Sequence, residues 1–145
     1  MAYWRLYYHI VWAVKGRAPL ISVEIEGSVY RLIAHKCNEQ GGLAYVVNGI
    51  SDHVHVVTAV PPTVALAEFI KKLKGSSSRF VHTEYGLSFA WQSGYGVFTV
   101  SERSLPKVID YVRHQKEHHQ SGTLIPRLES FTSEDDGPQP APAAT

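Results

Sequence analysis

The sequence predicts a mixed α+β fold built on one antiparallel sheet. Three observations predict it: the first residues alternate as a strand does, a turn sequence separates two further strand-like segments, and three segments carry apolar residues at helical spacing. The chain of 145 residues is long enough to form one domain with its own hydrophobic core.

The N-terminal part predicts a strand followed by a helix. Residues 3–14 alternate with aromatic and β-branched side chains, which is typical of a long strand. Ser22 is a suitable N-cap for a helix, and Gly41 and Gly42 end that helix.

The next segments predict a hairpin and a second helix. Residues 43–48 and 53–60 are strand-like, and the turn residues of 48–52 between them indicate that the two strands pair. A second helix is predicted to open at residues 61–63 and to close within residues 75–78.

A fourth strand over residues 95–101 and a third helix complete the domain. Ser104 as N-cap and Pro106 in the first turn favour the start of this helix, and Gly122 marks its end. The order is β-α-β-β-α-β plus a C-terminal helix. It matches the ferredoxin-like pattern, in which helices cover one face of an antiparallel sheet.

The composition changes near residue 126. Residues 126–145 are acidic and then rich in Pro and Ala, which predicts a disordered tail after a folded domain of residues 1–125. Residues 1–128 hold all 14 Lys and Arg but only nine acids, a net charge of +5. A modestly basic body is compatible with phosphate binding.

Composition also argues against some classes of protein. No apolar run approaches the roughly 20 residues of a transmembrane helix, and the N-terminus lacks the layout of a signal peptide. The single cysteine, Cys37, rules out an intramolecular disulfide framework. We therefore expect a cytoplasmic protein that does not associate with membranes.

Two histidines of the third strand form a candidate metal site. In a strand, residues i and i+2 point to the same face, so His53 and His55 project side by side while Val54 is buried on the other face. Two imidazoles in this arrangement can converge on one cation. A His-x-His pair alone is also compatible with a structural or solvated role.

The third helix places a phenol beside an amide. Tyr111 and Gln115 lie four residues apart and share a face at the flank of the apolar stripe. The amide oxygen can complete a metal site with the two imidazoles, and the phenol can attack a phosphorus atom. Taken alone, this pair is also compatible with ordinary surface packing.

A basic and serine-rich segment near the end of the second helix is the best candidate for phosphate contacts, although a solvated helix end would look similar. Its residues are Lys71, Lys72, Lys74, Ser76, Ser77 and Arg79.

Five sequence blocks together resemble the single-tyrosine HUH transposases, which include those of minimal insertion sequences and of REP-associated elements. The resemblance runs from about Tyr7 to His119. The blocks are Tyr8-His-Ile-Val-Trp-Ala-Val14, Asp52-His-Val-His-Val56, Lys74-Gly-Ser-Ser-Ser-Arg79, Trp91-Gln-Ser-Gly-Tyr-Gly-Val-Phe-Thr-Val-Ser101 and Tyr111-x-x-x-Gln115.

The resemblance implies roles for these residues. His53 and His55 would be the HUH ligands, Gln115 the third ligand to Mg²⁺ or Mn²⁺, and Tyr111 the nucleophile. Such enzymes cleave and rejoin single-stranded DNA at hairpin-bearing element ends through a 5′-phosphotyrosine. Many are homodimers, whereas the REP-associated type can act as a monomer.

Two other functions stay open from the sequence. A relaxase or rolling-circle nickase uses related chemistry, although such proteins more often have three histidine ligands and larger domains. A domesticated, non-cleaving single-stranded DNA-binding protein is the second alternative, which the presence of Tyr111 and both histidines disfavours.

Overall fold

A computed structural model describes residues 2–130 of the chain. The predicted α+β, ferredoxin-like class is confirmed: four antiparallel strands lie in the order β2-β3-β1-β4. The predicted tail lies outside the described residues from residue 131 onward, and a short helix forms where it was expected to begin. Within the described residues, no helix is both long and apolar enough to span a bilayer.

The strands and helices follow in the predicted order, and the bounds are as follows. They are β1 Tyr7–Ala13, a 3-10 turn Lys15–Arg17, α1 Val23–Glu39, β2 Leu43–Ile50, β3 His53–Ala59, α2 Leu66–Tyr85, β4 Gly96–Val100, α3 Leu105–Arg113, α4 Gln115–Ser121 and α5 Pro126–Glu129.

The two faces of the sheet are covered by different helices. Even-numbered residues of β1 and β3, such as Ile10 and Val56, pack with α1 and α2 in the main apolar core. Val57 on the opposite face packs against Tyr111 and Val112 of α3. The first two helices therefore cover one face, as predicted, and the C-terminal helices cover the other.

The second helix is longer than predicted. The expected end at residues 75–78 was wrong, because α2 continues to Tyr85 and Gly86 then adopts a left-handed conformation with φ 64°. Ser77 and Val81 are fully buried and extend the apolar face of the helix beyond Gly75. Burial of this face offsets the low helix propensity of Gly and Ser.

The third predicted helix is divided at His114, which has φ −105° and ψ 28°. The side chain of Asn48 in β2 donates from Nδ2 to the carbonyls of Val112 and Arg113, both at 3.0 Å. Lys116 at the start of α4 donates to Asn48 Oδ1 at 2.9 Å. A polar side chain of the sheet therefore satisfies the carbonyls exposed where α3 ends.

Candidate active site

The two candidate histidines lie side by side on β3, as the alternation of a strand predicts. His53 and His55 are almost fully buried, and their ring centroids are 5.1 Å apart. Val54 between them packs in the core on the other face. The sheet therefore presents two imidazoles to the space beneath α3, α4 and α5.

Each of these imidazoles is held through its Nδ1 atom. His53 Nδ1 lies 2.8 Å from Asp52 Oδ1, and His55 Nδ1 lies 2.8 Å from His9 Nε2. Both Nε2 atoms consequently face the same point above the sheet. Metal-binding histidines in proteins are usually held in this way by a partner on the other ring nitrogen.

A carboxylate from α5 occupies that point. Glu129 Oε1 lies 3.3 Å from His53 Nε2, 3.2 Å from His55 Nε2 and 3.4 Å from His119 Nε2. Its other oxygen, Oε2, accepts hydrogen bonds from the hydroxyl of Tyr111 and from Gln115 Nε2. One carboxylate thus joins the imidazoles to the candidate nucleophile.

The hydroxyl of Tyr111 is directed into the site. It donates to Glu129 and accepts the backbone N–H of Ile125 at 3.1 Å, while its ring stacks on His118 with centroids 4.6 Å apart. Burial, followed by the hydrogen bond to Glu129, raises the pKa of Tyr111 to about 12. In this arrangement the candidate nucleophile is held as a neutral phenol.

Gln115 is fully buried although the break at His114 places it in a different helix from Tyr111. Its Oε1 accepts from His119 Nε2 at 2.9 Å, and its Nε2 donates to Glu129 at 2.9 Å. The amide therefore faces the site with its nitrogen, whereas a metal ligand would need the oxygen. Its role as third ligand stays a prediction.

The donor atoms fit a divalent cation. One ligand atom each from His53, His55 and Glu129 lie within 4.8 Å of one another, so one ion could contact all three. Two imidazole nitrogens with a carboxylate oxygen suit Mn²⁺, and Mg²⁺ accepts such a set when water and phosphate complete its coordination.

Burial and hydrogen bonds shift the pKa values of the site residues in opposite directions. Burial alone would raise the pKa of Glu129, but hydrogen bonds to His53, His55 and Tyr111 outweigh it and lower that pKa. Burial would lower the pKa of His53, yet its bonds to Glu129 and Asp52 raise it. Burial dominates at His55 and His119 and lowers the pKa of each.

Three basic residues that follow Tyr111 in the chain could in principle take its proton, but their side chains have other contacts. His114 Nδ1 lies 2.8 Å from the Asp110 carbonyl, and Lys116 forms a 3.2 Å ion pair with Glu26. His118 contacts the Tyr111 ring by stacking, and its Nδ1 lies 2.8 Å from Thr123 Oγ1. The acceptor in contact with the phenol hydroxyl is instead Glu129.

The predicted phosphate-contacting set lies on α2, across the sheet from the histidines. Lys71, Lys72 and Arg79 are exposed and, with Ser76, line a groove between α1 and α2. Two of the predicted residues have other partners. Lys74 Nζ donates to the carbonyls of Gln92 and Gly94, and Ser77 is fully buried and accepts the Trp91 indole N–H.

Sequence reasoning missed three groups of this site. Glu129 carries no local pattern that assigns it, because its place depends on how the chain returns after α4. His119 had a signal, since it lies four residues after Gln115 and therefore on the same helix face. His9 had a signal, since it is the one charged or strongly polar side chain in the otherwise apolar and aromatic strand Tyr7–Ala13. Its partner could be found only from the register that sets β1 against β3.

Comparison with known proteins gives consistent matches. The family model described as "Transposase IS200 like" matches residues 2–115. The chain is 30% identical over 129 residues to the transposase for insertion sequence element IS200 of Salmonella typhimurium, covering 84% of each protein.

Two solved structures share the fold. A putative transposase from Deinococcus radiodurans superimposes with a TM-score of 0.65 at 24% identity, covering 79% of this chain and 95% of that one. A REP-associated tyrosine transposase bound to a REP hairpin gives a TM-score of 0.61 at 11% identity, covering 86% and 76%.

Proposed function

The chain belongs to the IS200-like transposase family, and from that premise we propose that it cleaves and rejoins single-stranded DNA through a covalent tyrosine intermediate. Tyr111 is the nucleophile, and His53 and His55 hold a divalent metal ion. The family implies a DNA-cleaving enzyme; the route through a phosphotyrosine is our proposal.

The position of the Glu129 carboxylate carries this proposal. One of its oxygens meets two imidazole nitrogens, and the other accepts the hydrogen bond of the phenol. A phosphodiester also carries an anion shared by two oxygens. A scissile phosphate in the place of Glu129 would set one oxygen toward His53 and His55 and its phosphorus toward Tyr111.

The residues of the site would share the work of the reaction. His53, His55 and one oxygen ligand, from Gln115 as the sequence predicts or from Glu129, would hold the ion. When bound, Mg²⁺ or Mn²⁺ would polarise a non-bridging phosphate oxygen and help to orient the phosphate. His118, stacked on the ring of Tyr111, would hold the phenol in its direction of attack.

The proposed chemistry is a transesterification. The hydroxyl oxygen of Tyr111 forms a bond to phosphorus as the bond to the 3′-oxygen breaks. The 3′-oxygen takes a proton from water, so the products are a 5′-phosphotyrosine and a free 3′-hydroxyl. The phenol proton passes to an adjacent acceptor, which is Glu129 in this structure or water once phosphate has replaced it. Because a phosphodiester is retained, the reverse attack by a 3′-hydroxyl rejoins DNA without ATP.

The proposed partner is single-stranded DNA that carries a hairpin. The fold shared with a protein bound to a REP hairpin supports this choice, as does the groove lined by Lys71, Lys72 and Arg79. The groove also contains Glu68 and Glu84, so its net charge is modest.

We further propose a homodimer in solution, which light scattering would test.

The nucleophile provides the decisive test. A labelled hairpin oligonucleotide incubated with protein and Mn²⁺ should give a covalent band on a denaturing gel, and the adduct should map to Tyr111. Tyr111→Phe keeps the ring on His118 but lacks the oxygen, so it should bind DNA and form no adduct. Tyr85→Phe, which changes an exposed phenol on α2, should give the wild-type band.

Three outcomes separate the alternatives. A covalent band that persists in Tyr111→Phe would refute the assigned nucleophile. Binding without any adduct in the wild type would favour the non-cleaving DNA-binding protein. Cleavage without rejoining, on DNA whose hairpin has been removed, would favour a nickase of the relaxase type.

A further inference from the structure

A third buried histidine lies behind the two candidate ligands. His9 of β1 is fully buried, and its Nε2 lies 2.8 Å from His55 Nδ1. The two rings are stacked, with centroids 5.1 Å apart and planes 9° apart. The strand register, which pairs Val11 with His55, places His9 diagonally beside it on the same face of the sheet.

We propose that His9 is a positioning residue that fixes the tautomer and orientation of His55 for metal binding. This inference rests on the proposed metal site. One proton lies between the two rings. In the metal-bound protein, that proton would be on His55 Nδ1 and His9 would accept it, so that His55 Nε2 would present a lone pair to the ion in place of its 3.2 Å contact with Glu129.

The surroundings of His9 suit an acceptor that stays neutral. Phe98 of β4 packs near its ring at 5.8 Å, and Nδ1 has no hydrogen-bond partner among the described residues. The ring is fully buried between His55 and Phe98, and such burial disfavours a charged imidazolium. A neutral His9 whose proton is on Nδ1 can accept from His55 at Nε2, whereas an imidazolium could not.

The second ligand is oriented differently. Asp52 holds His53 Nδ1 and also accepts from Arg17 Nε at 3.1 Å, so that partner is an ionised carboxylate near the surface. His55 has a buried neutral partner instead. The two ligands therefore depend on separate supports, and loss of His9 should disturb His55 while leaving His53 in place.

The test compares two substitutions in the full chain without DNA. His9→Phe keeps an aromatic ring between His55 and Phe98 but has no acceptor, whereas His9→Gln carries an amide oxygen that can accept from His55 Nδ1. Mn²⁺ affinity is measured by titration calorimetry. We expect His9→Phe to weaken binding by about 10- to 100-fold, as for other outer ligand partners, and His9→Gln to stay within a few-fold of wild type.

Two further measurements separate positioning from folding. Phe98→Leu alters the packing around His9 and keeps the acceptor, so it should bind Mn²⁺ as the wild type does. Long-range ¹H–¹⁵N spectra of the metal-bound protein should show the proton of His55 on Nδ1 in wild type and in His9→Gln. If His9→Phe fails to fold, the Mn²⁺ affinity of His9→Gln and the position of the His55 proton in its spectrum test whether an acceptor at residue 9 orients His55.

The outcomes that overturn the inference are distinct from failure of the metal site itself. Equal Mn²⁺ affinity of wild type and folded His9→Phe would overturn the role of His9 alone. Equal losses in His9→Gln and His9→Phe would also overturn it, because an acceptor would then not restore binding. Absence of Mn²⁺ binding by the folded wild type would overturn the metal site together with this inference.

Discussion

The same strands form both faces of the sheet, but one face packs an apolar core and the other holds polar side chains. On β3, Val54 and Val56 point into the core beneath α1 and α2, whereas His53 and His55 point to the other side. Both sets are almost completely buried. The difference shows that burial in this protein serves cohesion on one face and the placement of polar groups on the other.

On the polar face, the two candidate ligands need hydrogen-bond partners for their ring nitrogens. A buried polar group left without a hydrogen bond costs about 1–3 kcal/mol. His53 and His55 avoid this cost through Asp52, His9 and Glu129, which come from the hairpin turn, β1 and α5. The side chains on the other face are mostly apolar, so their main requirement is close packing.

The largest expected effect contrasts adjacent residues of β3. His53→Ala should lower metal-dependent cleavage about a thousandfold or more, because loss of the ion removes several kcal/mol of transition-state stabilisation. Val54→Ala should retain cleavage and lower the free energy of unfolding by about 1–3 kcal/mol. Urea unfolding and oligonucleotide cleavage with Mn²⁺ measure the two quantities. If folded His53→Ala cleaved DNA as fast as the wild type, the polar face would not have the proposed role in metal-dependent cleavage.

A smaller effect concerns the group that closes the polar face. Glu129→Gln removes the negative charge of the side chain that occupies the proposed phosphate position. The phosphate of DNA should therefore displace this side chain more easily. We expect the apparent KM for a hairpin oligonucleotide to fall about threefold to tenfold, because more of the protein is ready to bind. Glu117→Gln, the same change at an exposed residue of α4, should leave KM unaltered. A fall in kcat with Glu129→Gln would instead identify Glu129 as a group that the reaction needs.

The smallest expected effect is on DNA binding by the groove between α1 and α2, the helices that cover the apolar face. Lys71→Ala and Lys72→Ala should each weaken DNA binding at every sequence tested and reduce the slope of log affinity against log salt by about one. Fluorescence anisotropy between low and moderate salt measures the slope. Lys107→Ala, an exposed lysine of α3, is the matched control. Unchanged slopes for both α2 variants would exclude the groove as a DNA contact.

Local patterns were sufficient for the features that depend on neighbours in the chain. The period of a strand placed His53 and His55 on one face, and Ser104 marked the start of α3. The end of α2 could not be read locally, since burial of Ser77 and Val81 overrides the run of Gly and Ser.

The features that sequence reasoning missed depend on contacts between distant segments. The break between α3 and α4 is stabilised by Asn48, which lies more than sixty positions earlier in the chain. The pairing of His9 with His55 requires the register of two strands, and Glu129 reaches the site only after the chain reverses beyond α4. No periodicity within a segment contains this information.

The helix that bears Glu129 lies beyond residues 2–115, the stretch that the family model matches. His53, His55 and Tyr111 therefore lie within the part of the chain that the family model covers, whereas Glu129, which fills their site, lies outside it. The side chain that closes the site can therefore be exchanged while the two imidazoles and the phenol stay in place. A change at this one position would alter access to the site and leave the groups that line it intact.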